Sequence, residues 1–365
     1  MRTTIHEVNE IGQSIWLDQL SREILEEGEL TALIEKGVSG VTSNPSIFLK
    51  AIAGSEIYDQ QLHGLVEQGH DAHEMYEALA VQDIQHAADQ LRPVYEQTAG
   101  ADGYVSLEAN PKLAYDTQGT IKEVHHLHEA VNRPNVMFKI PATEAGYPAI
   151  EQCLSAGINV NITLMFSLEQ YNAVADAYLN GLEAFLEAGG DLHKVASVAS
   201  FFVSRIDVKV DPRLEELGAD DLKGEIAIAN AKMAYQRFTQ VFAGDRWDEL
   251  EAAGARVQRV LWGSTSTKNP DYPDTLYVDS LIGPHTVNTI PFKTIEAFLD
   301  HGTPERTVDR GIDQARSALE KLSALPVDLD QVTDELLKEG VESFADDYEQ
   351  LLSGLSQKAI ELQVT

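Results

Sequence analysis

Lys139 stands in the run Val136-Met137-Phe138-Lys139-Ile140-Pro141, with apolar neighbours on both sides. An ammonium is among the groups least often buried, because leaving water costs it several kcal/mol unless it is paired or neutralised. Either Lys139 escapes to solvent or it has a chemical role. An amine held among apolar groups gives up its proton more readily than a free lysine, whose pKa is about 10.4, and a neutral amine attacks a ketone to form a Schiff base. The protonated imine is an electron sink that permits carbon-carbon cleavage β to the original carbonyl, provided other groups move protons. Carboxylates for that task stand at the ends of two other apolar runs, Asp18 after "SIWL" and Glu108 in "YVSLEANP". This chemistry requires neither metal nor cofactor.

Further polar residues stand at comparable places. They are Asn44 in "GVTSNP", Asn161 and Thr163 in "NVNITL", Ser200 and Arg205 in "SVASFFVSR", and Lys268 in "GSTSTKNP". Asn161 and Thr163 are two apart and share one face of a strand. Each residue alone fits a blander role, a helix N-cap or a solvated loop. Seven apolar runs each delivering a polar group near one end point to a site instead.

The elements that must position these groups are short apolar, β-branched runs, each followed by a longer stretch with helical spacing. The predicted strands are 14–17, 40–42, 103–107, 136–140, 159–164, 195–202, 259–263 and 286–289. Amphipathic helices are expected over 21–36, 115–131, 145–157, 168–188 and 222–242. Alternation of this kind implies parallel strands joined by right-handed crossovers, and eight units favour an α/β fold of the closed (β/α)8 TIM-barrel type. An open doubly wound sheet would more naturally carry a G-x-G-x-x-G after its first strand, and none is present. Residues 1–365 read as a single barrel domain with additional terminal helices, the C-terminal extension running from about 305 to 365. Its segment "VESFADDYEQLLSGLSQKAIEL" predicts one long amphipathic helix that could cover the barrel.

Composition narrows the partners. Lys plus Arg total 27 against 59 Asp plus Glu, a formal charge of -32 that repels phosphate backbones and argues against nucleic acid. Any anionic ligand must be gathered by a few cations against that background. No segment approaches the roughly 20 apolar residues that span a membrane, and the N-terminus lacks an apolar signal core, so a cytoplasmic protein is expected. The lone cysteine, Cys153, precludes an internal disulfide and suits a reducing compartment. "VHHLH" at 124–128 puts His125 and His128 on one helical face, but without a third ligand it reads as an ordinary solvated face and no metal site is expected. The oligomeric state, homodimer or monomer, is left open by these residues.

The stretches "GVTSNPSIF", "SLEANP", "VMFKIPAT", "GINVNITLMFS" and "SFFVSRID" occur in this order within about residues 11–300 and together resemble the transaldolases. The resemblance implies a barrel of the Schiff-base aldolase kind. Its implied activity moves a dihydroxyacetone unit from sedoheptulose 7-phosphate or fructose 6-phosphate to glyceraldehyde 3-phosphate or erythrose 4-phosphate, in the pentose phosphate pathway. It implies Lys139 as the imine-forming lysine, Glu108 and Asp18 as the acid/base pair, and Thr163 as the holder of a water beside Glu108. Asn44 and Asn161 would bind sugar hydroxyls, Phe202 would face the substrate, and Ser200 and Arg205 would meet its phosphate. Related fructose 6-phosphate aldolases tend to carry tyrosine at the position of Phe202 and glutamine at that of Glu108, so both residues favour the transferase. The chain departs from the pattern at Ser204, where many relatives have glycine, and at Lys268, where many have a phosphate-binding arginine. The alternatives are a fructose 6-phosphate aldolase-like enzyme and a non-catalytic phosphosugar-binding barrel, and such a binder would need no amine nucleophile.

Overall fold

The computed structural model describes residues 2–53 and 55–364. Eight parallel strands close in sequence order into a barrel: β1 (Gln13–Leu17), β2 (Gly40–Thr42), β3 (Val105–Glu108), β4 (Val136–Pro141), β5 (Val160–Met165), β6 (Ser197–Phe202), β7 (Arg259–Gly263) and β8 (Thr286–Ile290). All eight expected strands are present, and the closed barrel is the expected fold class.

The period of two along each strand sorts its residues between two cores. In β4, Val136, Phe138 and Ile140 join the large apolar cluster that runs from Ile5 to Ala359, whereas Met137 joins a smaller cluster with Trp16, Tyr104, Val198, Leu261 and Val287. Those residues occupy the inward positions of their strands and fill the lower barrel with apolar side chains. Lys139 has the parity of Met137, so the same alternation sends it inward, one layer up. Gly40 accommodates this packing, since a Cβ there would lie 2.5 Å from the Trp16 ring.

Two features depart from the simple alternation. The predicted helix over 21–36 is broken into Arg22–Glu26 and Glu29–Glu35 by Gly28, whose φ of 81° lies in the left-handed region that glycine enters freely. The connection from β2 to β3 carries three helices, Pro45–Ala53, Asp59–Glu67 and Ala72–Gln97. A buried network pins this insertion: Arg22 Nε donates to Asp83 Oδ1 at 2.9 Å, and the Tyr58 hydroxyl donates to Asp83 Oδ2 at 2.8 Å.

The chain ends in helices Ile312–Ser323 and Leu329–Val364. The last has 36 residues, hence a length of roughly 54 Å at 1.5 Å per residue, enough to cross a barrel. It is pinned along its length, by Lys209 to Glu335 (2.9 Å) and Glu339 (2.7 Å), by Lys112 to Glu349 (2.6 Å) and by Lys358 to Asp59 (2.6 Å). Between these ties Gly340 packs against Leu164 of β5, where a Cβ would stand 2.8 Å from Leu164 Cδ2. The helix therefore lies over the ends of the strands.

Candidate active site

Register brings the central residues together. Glu108 of β3 pairs with Lys139 of β4, which pairs in turn with Asn161 of β5. Adjacent inward positions at one height must touch, and they do. Lys139 Nζ lies 2.5 Å from Glu108 Oε2 and donates to the carbonyl of Ser43 at 3.0 Å. The two charged residues are only 5% and 6% exposed, so Lys139 does not reach solvent. Burial raises the pKa of Glu108 above the usual carboxylate value, with Lys139 opposing and Asp18 reinforcing the shift. The site thus holds a carboxyl group whose environment resists ionisation directly against an amine.

Asp18 follows β1 and accepts a hydrogen bond from Thr42 Oγ1 at 2.7 Å, and Thr42 Oγ1 in turn lies 2.6 Å from Thr289 Oγ1. Its pKa is also raised by burial, against the Thr42 bond and the charges of Lys139, Arg205 and Lys268. These cations and Asp18 line one cavity, so Asp18 faces the same space as Lys139.

β5 carries a register irregularity between Ile162 and Met165, and Leu164 adopts φ of 59°. A bulky residue in the left-handed region is strained, and such strain persists where the surroundings enforce it. Here the surroundings include Gly340 of the covering helix. Immediately before it, the Thr163 hydroxyl is fully buried without a protein hydrogen-bond partner. A buried hydroxyl left open in this way is suited to hold water or substrate.

Asn161 Nδ2 donates to Ser106 Oγ at 2.9 Å, and Ser200 Oγ donates to Asn161 Oδ1 at 2.6 Å. The Ser200 hydroxyl is thus tied to Asn161, and its first role in this structure is to orient that amide. Asn44 caps the helix Pro45–Ala53, its Oδ1 accepting from Ile47 N at 3.0 Å. Phe202 lies under Arg205, whose guanidinium carbon is 5.3 Å from the ring centroid. Arg205 stands in the first turn of the helix Ser204–Glu216, near enough to Asp18, Asp347 and Glu339 for their charges to act on it. Lys268 Nζ donates to Ser266 Oγ at 2.9 Å in the loop after β7.

A cavity of about 680 Å³ joins these groups, lined by Asp18, Asn44, Lys139, Asn161, Thr163, Ser200, Phe202, Arg205 and Lys268. Glu108 lies behind Lys139 rather than on the lining. The covering helix adds Ser343, Phe344 and Asp347, and the helix Pro45–Ala53 adds Lys50. Sequence reasoning missed these four. Lys50 closely follows Asn44 in the same motif region, but the others are ordinary positions of an amphipathic helix, with no local signal of their place at the site. The histidines of "VHHLH" lie elsewhere: His126 pairs with Glu77 at 2.6 Å and His128 packs edge-on against Phe138.

A closed parallel barrel with a buried lysine, two carboxylates and a ring of amides, hydroxyls and cations at its covered mouth is an α/β-barrel architecture with the residue types of a lysine-dependent aldolase. The chain belongs to the transaldolase/fructose-6-phosphate aldolase family, whose model matches residues 15–355. It is 47% identical to "Transaldolase 2" of Nostoc sp., across 96% of each chain. It is 48% identical to a transaldolase of Parafrankia sp., across 98% of each, and 47% identical to one of Thermobifida fusca, across 98% of this chain and 99% of the relative.

Proposed function

We propose that this protein is a transaldolase of the non-oxidative pentose phosphate pathway, transferring a dihydroxyacetone unit from a ketose phosphate to an aldose phosphate through an imine on Lys139. The observation that carries the reading is the inward, buried Lys139 held 2.5 Å from Glu108. Such a pair allows the carboxylate to take the ammonium proton as the amine attacks the ketose carbonyl. Thr163, with its unpartnered hydroxyl, holds the water through which Glu108 moves protons during imine formation and hydrolysis. Asp18 takes the proton from the substrate hydroxyl whose ionisation starts carbon-carbon cleavage. Cleavage releases the aldose phosphate, and the dihydroxyacetone carbons stay on nitrogen as an enamine that attacks the next aldehyde.

Asn44 and Asn161 bind sugar hydroxyls, with Ser200 fixing the Asn161 amide. Arg205 over Phe202 and Lys268 beside Ser266 receive the phosphate at the mouth. Lys50, Lys139, Arg205 and Lys268 line the cavity together with Asp18, Glu23 and Asp347, so cations outnumber carboxylates there in a chain of net charge -32, which favours an anionic substrate. The protein acts in the cytoplasm, as a monomer or homodimer. Incubation with fructose 6-phosphate followed by borohydride tests the reading: a stable adduct of dihydroxyacetone mass on Lys139 is expected. Turnover without any adduct would overturn it.

A further inference from the structure

The loop after β7 carries Lys268, and the helix Ser204–Glu216 carries Arg205. Something must fix their separation if both are to meet one phosphate. The hydrogen bonds of residues 266–271 run within the loop itself, from Lys268 to Ser266, Thr267 to Pro273 and Asp271 to Asn269. Hydrogen bonds fasten the loop to the helix at its two ends. At the start, Ser204 N donates to the carbonyl of Ser264 at 2.9 Å and the two hydroxyls lie 3.0 Å apart, with Ser264 held at φ of 53°. At the far end, the Tyr272 hydroxyl donates to Asp211 Oδ2 at 2.7 Å and the Tyr277 hydroxyl to Asp207 Oδ2 at 2.8 Å.

The two aspartates are built alike. One helical turn apart, they are 1% and 8% exposed. The remaining oxygen of each accepts a backbone N–H from the next segment, Ala227 N to Asp207 Oδ1 at 2.8 Å and Gly224 N to Asp211 Oδ1 at 3.1 Å. Gly224, at φ of +76°, also leaves room for the Tyr272 ring, 3.1 Å from where a Cβ would stand. Two buried carboxylates at this spacing are costly, and apolar packing would hold a loop more cheaply. Directional bonds do what apolar packing does not: they set one distance and one orientation.

We infer that Tyr272 and Tyr277, acting through Asp211 and Asp207, together with the Ser204 and Ser264 pair, form a clamp that sets the gap between Arg205 and Lys268. They are positioning residues for the substrate phosphate. Ser204 thereby gains a purpose, since glycine at that position would lack the hydroxyl that meets Ser264. The inference rests on the phosphate-binding role assigned above to Arg205 and Lys268.

The test replaces both tyrosines by phenylalanine, which removes the hydroxyls and keeps the rings. The expected result is a rise of roughly tenfold in the KM for fructose 6-phosphate, with a smaller change in kcat. Borohydride trapping with unphosphorylated dihydroxyacetone should be unaltered. In a Lys268→Ala background the tyrosine substitutions should add little, because the residue they position is gone. If KM is unchanged, if both donors are impaired equally, or if the effects are fully additive with Lys268→Ala, the clamp serves the fold alone and the inference fails. Should the double variant not fold, Ser264→Ala removes the hydroxyl contact of the other fastening, leaving its backbone bond, and carries the same comparison. Calorimetric titration with inorganic phosphate reads the subsite without the chemistry. A failed clamp would leave imine trapping intact, and a failed role for Lys139 would leave the phosphate titration intact.

Discussion

Lys139 and Phe344, on β4 and on the C-terminal helix, meet at the mouth of the barrel, with Nζ 5.6 Å from the ring centroid. The ring attracts the ammonium through its negative face and also closes the space above it. A transferase must keep its enamine from water until the second aldehyde arrives, and a helix laid across the mouth would do this by exclusion.

Phe344→Leu keeps an apolar residue in place but leaves it smaller, so a loss of roughly 1 to 2 kcal/mol of stability is expected, well short of truncation to Ala. Water access should increase. The expected result is a several-fold rise in dihydroxyacetone release from fructose 6-phosphate without acceptor, relative to transfer with acceptor present. An unchanged ratio would show that the helix does not guard the intermediate.

Glu108→Gln keeps the shape of the side chain but removes the base and its ion pair with Lys139. Turnover should fall on the order of 10² to 10⁴, and borohydride trapping should slow because imine formation also needs a proton shuttle. Lys139→Ala should abolish trapping, and Lys139→Arg should not restore it, since a guanidinium stays protonated. Near-normal turnover in both Glu108→Gln and Asp18→Asn would refute the acid/base assignment even with Lys139 confirmed.

The eight strands were legible because each is a short apolar run, and Lys139 stood out because it is a charged residue set within such a run. The polar rim could be read from strand ends for the same reason. What could not be read depends on contacts between distant segments. Phe344 and Asp347 look like any residues of an amphipathic helix until that helix is laid over the mouth. Asp207 and Asp211 look like a solvated acidic face, as Arg22 and Asp83 look like surface charges, and all four are buried in networks with tyrosines from elsewhere. Ser200, one strand from Asn161, bonds to it. A period-two pattern shows that both point inward, but not that they pair.

Asp207 gives the stability a defined pH dependence. Burial, reinforced by the charge of Asp211, raises its pKa from 3.8 to about 7. Between these values the folded state binds a proton that the unfolded state has lost, so this group's contribution is full below pH 3.8 and declines as the pH rises to 7. Its size is a few kcal/mol at most, at about 1.4 kcal/mol per unit. Asp207→Asn keeps an acceptor for Ala227 N and removes the titration. The variant's melting temperature relative to wild type should therefore be more favourable at pH 8 than at pH 5. A difference that does not change with pH would mean Asp207 titrates normally.

Arg205 decides whether the mouth recognises phosphate. Asp207 stands two residues on in the same helix, where i and i+2 side chains do not face each other, and it is buried against Ala227 and Tyr277 instead of paired with Arg205. The guanidinium instead lies over Phe202 in the cavity, where its planar fork can take two phosphate oxygens. Arg205→Ala should raise the KM for fructose 6-phosphate by the equivalent of roughly 2 to 4 kcal/mol of lost charge-assisted bonding, with a smaller effect from Lys268→Ala. Arg205→Lys should recover only part of the loss, because it keeps the charge without the fork or the stacking. Arg205→Ala also removes a cation that lowers the pKa of Asp18, so in that variant the acid limb of the rate profile should move to higher pH. At a pH well above that limb, dihydroxyacetone and unphosphorylated fructose should react as in the wild type. If Arg205→Ala impairs these donors as much as the phosphorylated one, Arg205 supports the fold and the phosphate must bind elsewhere.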